Sequence, residues 1–332
     1  DCFYTCFLSS IRTMQRKQAN GGRFTDPLQW ILVKGHMLGY NGMHTGGDGL
    51  DIQWYPGHMA KARRLLQEKL PAVDIILEVV DARIPLISRN PDFDDLFAAK
   101  ERIILLNKAD LADESITKKW IKYYEQQGWY AIAVTAVRSN TRKLVMQFIE
   151  KTMRPRLEKL LREKGLRKVT RGMIVGIPNV GKSSLINTLA GGASAKTGNR
   201  PGVTRGTQLM RITPYLELLD TPGILWPKFD DQDLARDLAY CGSVKDEIMD
   251  TEKLCAGLLE KLAAEFPECI TGRYGVPTEG DGYALTERIA LKRGWIRAGS
   301  VPDCERAAMS ILMEFRSGKM GRITLESPPG ES

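Results

Sequence analysis

From Ile52 onward, short and largely apolar runs ending in polar residues alternate with stretches of helical periodicity. Residues 75–80 run into Asp81, 103–106 into Asn107, 131–134 into Thr135, 173–175 into Gly176 and 216–219 into Asp220. Such runs fit buried strands, and helix-like stretches at 59–70 and 183–189 fit the crossovers between them. The pattern predicts an α/β fold: a doubly wound, mostly parallel sheet whose ligands sit at the carboxyl ends of the strands. After Asp233 the pattern changes. Leu254, Leu258, Leu259, Leu262 and Phe266 recur at helical spacing over 251–266, with Thr251 as N-cap, and 287–293 and 304–315 also read as helices. The expected organisation is an α/β domain at 52–232 followed by a small, mostly α-helical domain at 233–332. Residues 1–51 conform to neither. They are glycine-rich towards their end and lack periodicity, so they are expected to form a disordered extension, with the natural start near Met43. With five basic and three acidic residues, 1–50 is a poor targeting leader.

Composition narrows the class. Of 332 residues, 43% are hydrophobic and 27% charged, an ordinary globular balance. No stretch approaches the roughly 18 uninterrupted apolar residues of a membrane span, so no membrane partner is expected. The six cysteines form no CxxC pair, which argues against a zinc site or a secreted disulfide framework and suits a reducing cytoplasm. The net charge of +8 is concentrated, because residues 151–200 alone carry +10. Most of that lies in 154–171, the electrostatic footprint of a polyanion partner or else a solvated helix face. Residues 233–332 hold 13 basic and 17 acidic residues, although 281–322 reverse to 8 against 5, with Arg288, Lys292, Arg293 and Arg297 as a possible local patch.

Three short motifs carry chemistry. Gly-Ile-Pro-Asn-Val-Gly-Lys-Ser at 176–183 fits the GxxxxGK[ST] phosphate loop between a strand and a helix. Asn179, Val180, Gly181, Lys182, Ser183 and Ser184 form its nucleotide-binding stretch. The Lys182 ammonium reaches the terminal phosphates, Ser183 offers a hydroxyl to Mg²⁺, and the helix N-terminus favours anions. Some forty residues on, Asp-Thr-Pro-Gly (220–223) supplies Asp220 to hold Mg²⁺ through water and the Gly223 N–H to sense the third phosphate. Asn107, Lys108 and Asp110 select the base. A carboxylate accepts from guanine N1–H and N2, whereas adenine presents a lone pair there. Thr135 and Ala136 fit the accessory base loop. GTPases ordinarily run from phosphate loop to base motif, but here the base elements come first, which signifies a circular permutation.

In this order the chain resembles the YlqF/YawG family of circularly permuted GTPases over residues 52–328. The resemblance is carried by Trp-Tyr-Pro-Gly-His-Met-Ala-Lys-Ala-Arg (54–63), Asp-Ala-Arg-Ile-Pro (81–85), the phosphate loop and the segment 219–228; Gly-Arg-Ile-Thr-Leu-Glu (321–326) resembles the bacterial members. It implies a cytoplasmic GTPase that matures the large (50S) ribosomal subunit. The implied partners are the subunit precursor, its rRNA and ribosomal proteins, with no DNA. Ile224 stands where small GTPases carry a water-positioning Gln, and the resemblance points instead to His58 as the catalytic residue. It also implies a K⁺ site at Asn179. Thr204, in Pro-Gly-Val-Thr (201–204), is the candidate switch threonine that closes on Mg²⁺, with Thr207 as the fallback. Turnover is expected to be slow without a particle to stimulate it. A role for 81–85 does not follow from the sequence. The competing readings are a phosphate-loop switch in signalling or metabolism, and an RNA-binding module with vestigial nucleotide binding. The intact Lys182, Ser183, Asp220 and Asp110 oppose the latter.

Overall fold

The computed structural model describes residues 56–165, 168–191, 208–221, 223, 232–244 and 250–330, with side chains from Arg63 onward except at 208, 232 and 233. The proposed extension at 1–51, Thr204, Thr207 and Ile224 lie outside the described residues, as does the side chain of His58. Residues Leu50–Ser332 make one compact unit.

Its centre is a six-stranded sheet of β1 (Ile75–Asp81), β2 (Glu101–Asn107), β3 (Tyr130–Ala133), β4 (Thr170–Val175), β5 (Gln208–Thr213) and β6 (Leu216–Asp220), in the order β3-β2-β1-β4-β6-β5. All neighbours are parallel except β5, which pairs antiparallel with β6. Each apolar run of the sequence lies on or ends beside a strand. The strand without such a run is β5, where Met210 and Ile212 are buried but Leu209 and Arg211 are exposed. An edge strand needs only one apolar face, so its pattern is weak. In the middle of β1 the pleat divides the core. Ile75, Leu77 and Val79 join the large apolar cluster on one side, while Ile76 packs with Leu66, Phe93 and Met173 on the other. Glu78 interrupts this run, yet it is fully buried because Arg89 and Arg102 reach its carboxylate at 3.1 and 3.4 Å. Removing either arginine would leave a costly buried charge.

Helices α1 (Pro56–Lys69), α2 (Asp92–Leu96), α3 (Glu114–Gln126), α4 (Thr141–Lys164) and α5 (Lys182–Ala190) accompany the sheet. They are followed by α6 (Gln232–Tyr240), α7 (Thr251–Glu265), α8 (Pro267–Tyr274), α9 (Gly282–Arg293) and α10 (Cys304–Arg316). The apolar faces of these later helices, through Leu238, Leu258, Ile289 and Phe315, belong to the same cluster as Leu77 and Val79 of the sheet. The cap of α7 differs from the expectation. Asp250, not Thr251, is the N-cap, accepting from the Lys253 N–H at 3.0 Å, and Thr251 is the first helical residue. Likewise α9 begins at Gly282 rather than 287, because Asp281 caps it through the Ala284 N–H at 2.8 Å. Beyond α10 the chain returns to the sheet side. Ile323 N–H donates to the Leu111 carbonyl, Asp113 N–H to Thr324 Oγ1 and Leu325 N–H to the Arg83 carbonyl, at 2.8–3.1 Å.

Candidate functional site

The chemistry-bearing residues converge at the carboxyl ends of β2, β1, β4 and β6. Asp81 ends β1 opposite Asn107 at the end of β2, and Asp220 ends β6 opposite Ile174 of β4. The phosphate-loop sequence begins directly after β4. Gly176 adopts φ +146° against β1, where a Cβ would strike the Val79 carbonyl oxygen. Gly181, at φ +96°, likewise lies against the Asn107 amide. Glycine is required at both by conformation and by space. Asn179 takes φ +60° without being glycine, the kind of strained position that clusters at ligand-binding loops. Its Nδ2 donates to the Gly242 carbonyl at 2.7 Å.

Lys182 opens α5 and is buried, with Nζ donating to the carbonyls of Ile177 at 2.7 Å and Gly176 at 3.1 Å. Burial lowers its ammonium from the ordinary lysine range to about 8, with Asp220 opposing that shift. The Asp220 carboxyl is raised by the same burial, and among the described residues its buried Oδ1 has no hydrogen-bond partner. An acceptor of that kind beside a phosphate loop fits a cation or its water ligand. Gly223 sits on the loop, since a Cβ there would come within 2.8 Å of Pro178 N and 3.0 Å of Lys182 Nζ. Thr221 pins the intervening turn by donating to the Ile174 carbonyl at 2.6 Å.

Asn107 joins three loops. Its Nδ2 donates to the Val180 carbonyl at 2.7 Å, and its Oδ1 accepts from the Ala136 N–H at 2.9 Å. The Ala136 amide is thereby committed to Asn107. Thr135 Oγ1 donates to Asp110 Oδ1 at 3.2 Å, which fixes the carboxylate expected to read the base. Asp110 and Thr135 also line a cavity of about 250 Å³, whose wall includes Arg322 of the returning C-terminal segment. Lys108, at φ +59°, reaches back to Asp81 at 2.8 Å. This pairing joins residues far apart in sequence, and no local signal announces it.

His58 falls within α1, Ser183 and Ser184 within the first turn of α5. The described part of the basic stretch runs from the second half of α4 to the start of β4, and some of it is engaged within the chain. Arg156 donates to the Asp74 carbonyl at 3.2 Å, Lys168 pairs with the Asp74 carboxylate, and Arg171 donates to Glu217 at 3.0 Å. The expected C-terminal patch is similarly occupied: Arg288 caps the Pro277 and Glu279 carbonyls, and Arg297 pairs with Asp303 and Glu305. Among the described residues, no group of three His, Cys, Asp or Glu side chains could hold a metal by itself, and no helix is long and apolar enough to cross a membrane.

Residues 171–253 match the family described as "50S ribosome-binding GTPase". That span holds the phosphate loop and Asp220–Gly223 but not Asn107–Asp110, as a permuted order requires. The ribosome biogenesis GTPase A of Priestia megaterium is 44% identical over 282 residues, covering 84% of this chain and 98% of that protein. The mitochondrial ribosome-associated GTPase 1 of Xenopus tropicalis is 33% identical, covering 90% and 99%. Among solved structures, GNP-bound YlqF from T. maritima superposes with a TM-score of 0.57 at 33% identity, covering 81% of this chain and 99% of its own. The permuted order of motifs, the strand-end site and this near-complete coverage agree, and the chain belongs to the ribosome biogenesis GTPase A family.

Proposed function

We propose that the protein binds and hydrolyses GTP and acts as an assembly factor of the large (50S) ribosomal subunit in the cytoplasm of a bacterial cell. The observation that carries the reading is the Asn107 side chain, which links the base loop, the accessory loop and the phosphate loop at one end of the sheet. In this reading Asp110 accepts from guanine N1–H and N2. Adenine would leave those acceptors unmatched, at a cost of several kcal/mol. Lys108 lies along the base plane. Ala136 supports the base loop through Asn107, and Thr135 steadies Asp110. The amides from Asn179 to Ser184 and the Lys182 ammonium hold the β- and γ-phosphates, and the Gly223 N–H senses the γ-phosphate.

Ser183, Asp220 and Thr204 would hold Mg²⁺, which when bound spreads the negative charge of the phosphate oxygens. The unpartnered Asp220 Oδ1 supports that assignment. Asn179, whose Nδ2 donates to the Gly242 carbonyl, would contribute to a K⁺ site beside the phosphates. His58 orients the attacking water, as an imidazole can near neutral pH.

The partners in this reading are the subunit precursor with its rRNA and ribosomal proteins. The exposed basic side chains of α4, such as Lys159, Arg162 and Lys164, supply phosphate contacts. Sedimentation of the protein with large-subunit particles under GDP, a non-hydrolysable GTP analogue or no nucleotide tests the reading. Co-sedimentation that depends on the nucleotide supports it. GTP turnover without particle binding in any state would assign the protein to signalling or metabolism instead.

A further inference from the structure

Asp81-Ala-Arg-Ile-Pro85 is the sequence feature to which the nucleotide chemistry gives no role. The Asp81 carboxylate, fully buried at the end of β1, has both oxygens engaged. Oδ1 accepts from the Arg83 N–H at 3.1 Å and from Arg83 Nε at 2.9 Å. Oδ2 accepts from Arg83 Nη2 at 2.7 Å and pairs with Lys108 Nζ at 2.8 Å. Arg83 is itself buried. Its Nη2 also reaches the Cys241 carbonyl, just beyond α6, at 3.3 Å, and its guanidinium stands 5.7 Å from the Phe315 ring of α10. Among the described residues its Nη1 finds no hydrogen-bond partner.

A buried ion pair with an unsatisfied donor contributes little net stability. What this one supplies is position. A lysine ammonium sits on a flexible four-carbon stem and gives up rotamer freedom when it is held. Here it is held by a carboxylate that cannot move, on a backbone already at φ +59°.

We propose that Asp81 is a positioning residue for guanine recognition, holding Lys108 against the base, and that Arg83 ties this anchor to the α6–α10 helical segment. The proposal rests on the reading of Asn107–Asp110 as the guanine site. It follows that displacement of the helical segment loosens the nucleotide through Arg83.

Dissociation of a fluorescent GDP from the whole chain, measured by stopped flow, tests the proposal. Asp81→Asn and Lys108→Met should each speed release about tenfold. The double variant should be no more than twofold faster than either, because both changes remove one interaction. A residue that merely supports the fold would give factors that multiply, and that result overturns the proposal. If Asp81→Asn does not fold, Asp81→Asn with Arg83→Met removes the buried pair as a unit and should release GDP as fast as Lys108→Met. Unchanged release in that variant also overturns the proposal. Asp110→Asn separates the two levels. It should shift preference from guanine towards xanthine, and if it does so while Asp81→Asn releases GDP normally, only the positioning role fails. If Asp110→Asn leaves guanine preference intact, the guanine-site reading fails and the proposal falls with it.

Discussion

Lys182 is held in a state that phosphates would change. Its ammonium is lowered to about 8 by burial, whereas a polyphosphate alongside would raise it again. Above about pH 8, binding must therefore take up a proton that the free protein has released. GDP affinity should fall as pH rises past 8, approaching tenfold per unit, and calorimetry at pH 9 in buffers of different ionisation enthalpy should record uptake near one proton. In the free protein the sign is reversed. The unfolded chain, with an ordinary lysine near 10.4, binds the proton more tightly, so stability should rise with pH between about 8 and 10. His58 offers a second test at this scale. Replacing it with alanine should slow particle-stimulated hydrolysis on the order of 10²-fold while GDP binding stays nearly constant. Unaltered turnover would remove His58 from the catalytic residues.

At the scale of elements, α9 meets α7 without room for a side chain. A Cβ on Gly282 would land on the Ala256 backbone, so Gly282→Ala must push two helices apart. Urea unfolding should show a loss of about 2–3 kcal/mol, as overpacking a close contact does. The exposed half of α4 makes a different prediction. Lys159, Arg162 and Lys164 changed together to Gln should flatten the salt dependence of particle binding by up to about one unit per lost phosphate contact. An unchanged slope would mean a solvated face. Arg156 is left out of this set because its guanidinium holds Asp74. These elements also show what a sequence discloses. The phosphate loop is legible because its glycines must recur at fixed local spacing, and β1 and β2 because strands covered on both faces are largely apolar, Glu78 and Arg102 being buried exceptions that pair with each other. The edge strand β5 and the caps Asp250 and Asp281 are less visible, since a single apolar face or a single carboxylate leaves little periodic signal. The pairing of Asp81 with Lys108 and the reach of Arg83 to Cys241 are set by which strand ends become neighbours. No local pattern records that.

Across the whole molecule, residues 323–326 fasten the loops on either side of Asp110. Ile323 and Leu325 are buried, Trp120 Nε1 donates to the Glu326 carbonyl at 2.9 Å, and the Glu326 carboxylate accepts from the Leu86 N–H at 2.8 Å. Ending the chain at Met320 should cost about 3–5 kcal/mol in urea unfolding, from two lost apolar side chains and their hydrogen bonds. GDP release should quicken as Leu111 and Asp113 lose their partners beside Asp110. A stable truncated chain with unaltered release would show the segment to be dispensable. The fastening also has a direction in time. Leu86 is synthesised 240 residues before Glu326, so the loops around Leu86 and Asp110 emerge from a translating ribosome early and are secured late. A copy abandoned before Glu326 is translated would carry every nucleotide motif and still grip nucleotide poorly. The contacts that finish the fold on this side are thus the last to become available, and a firm hold on nucleotide is expected to arrive with them.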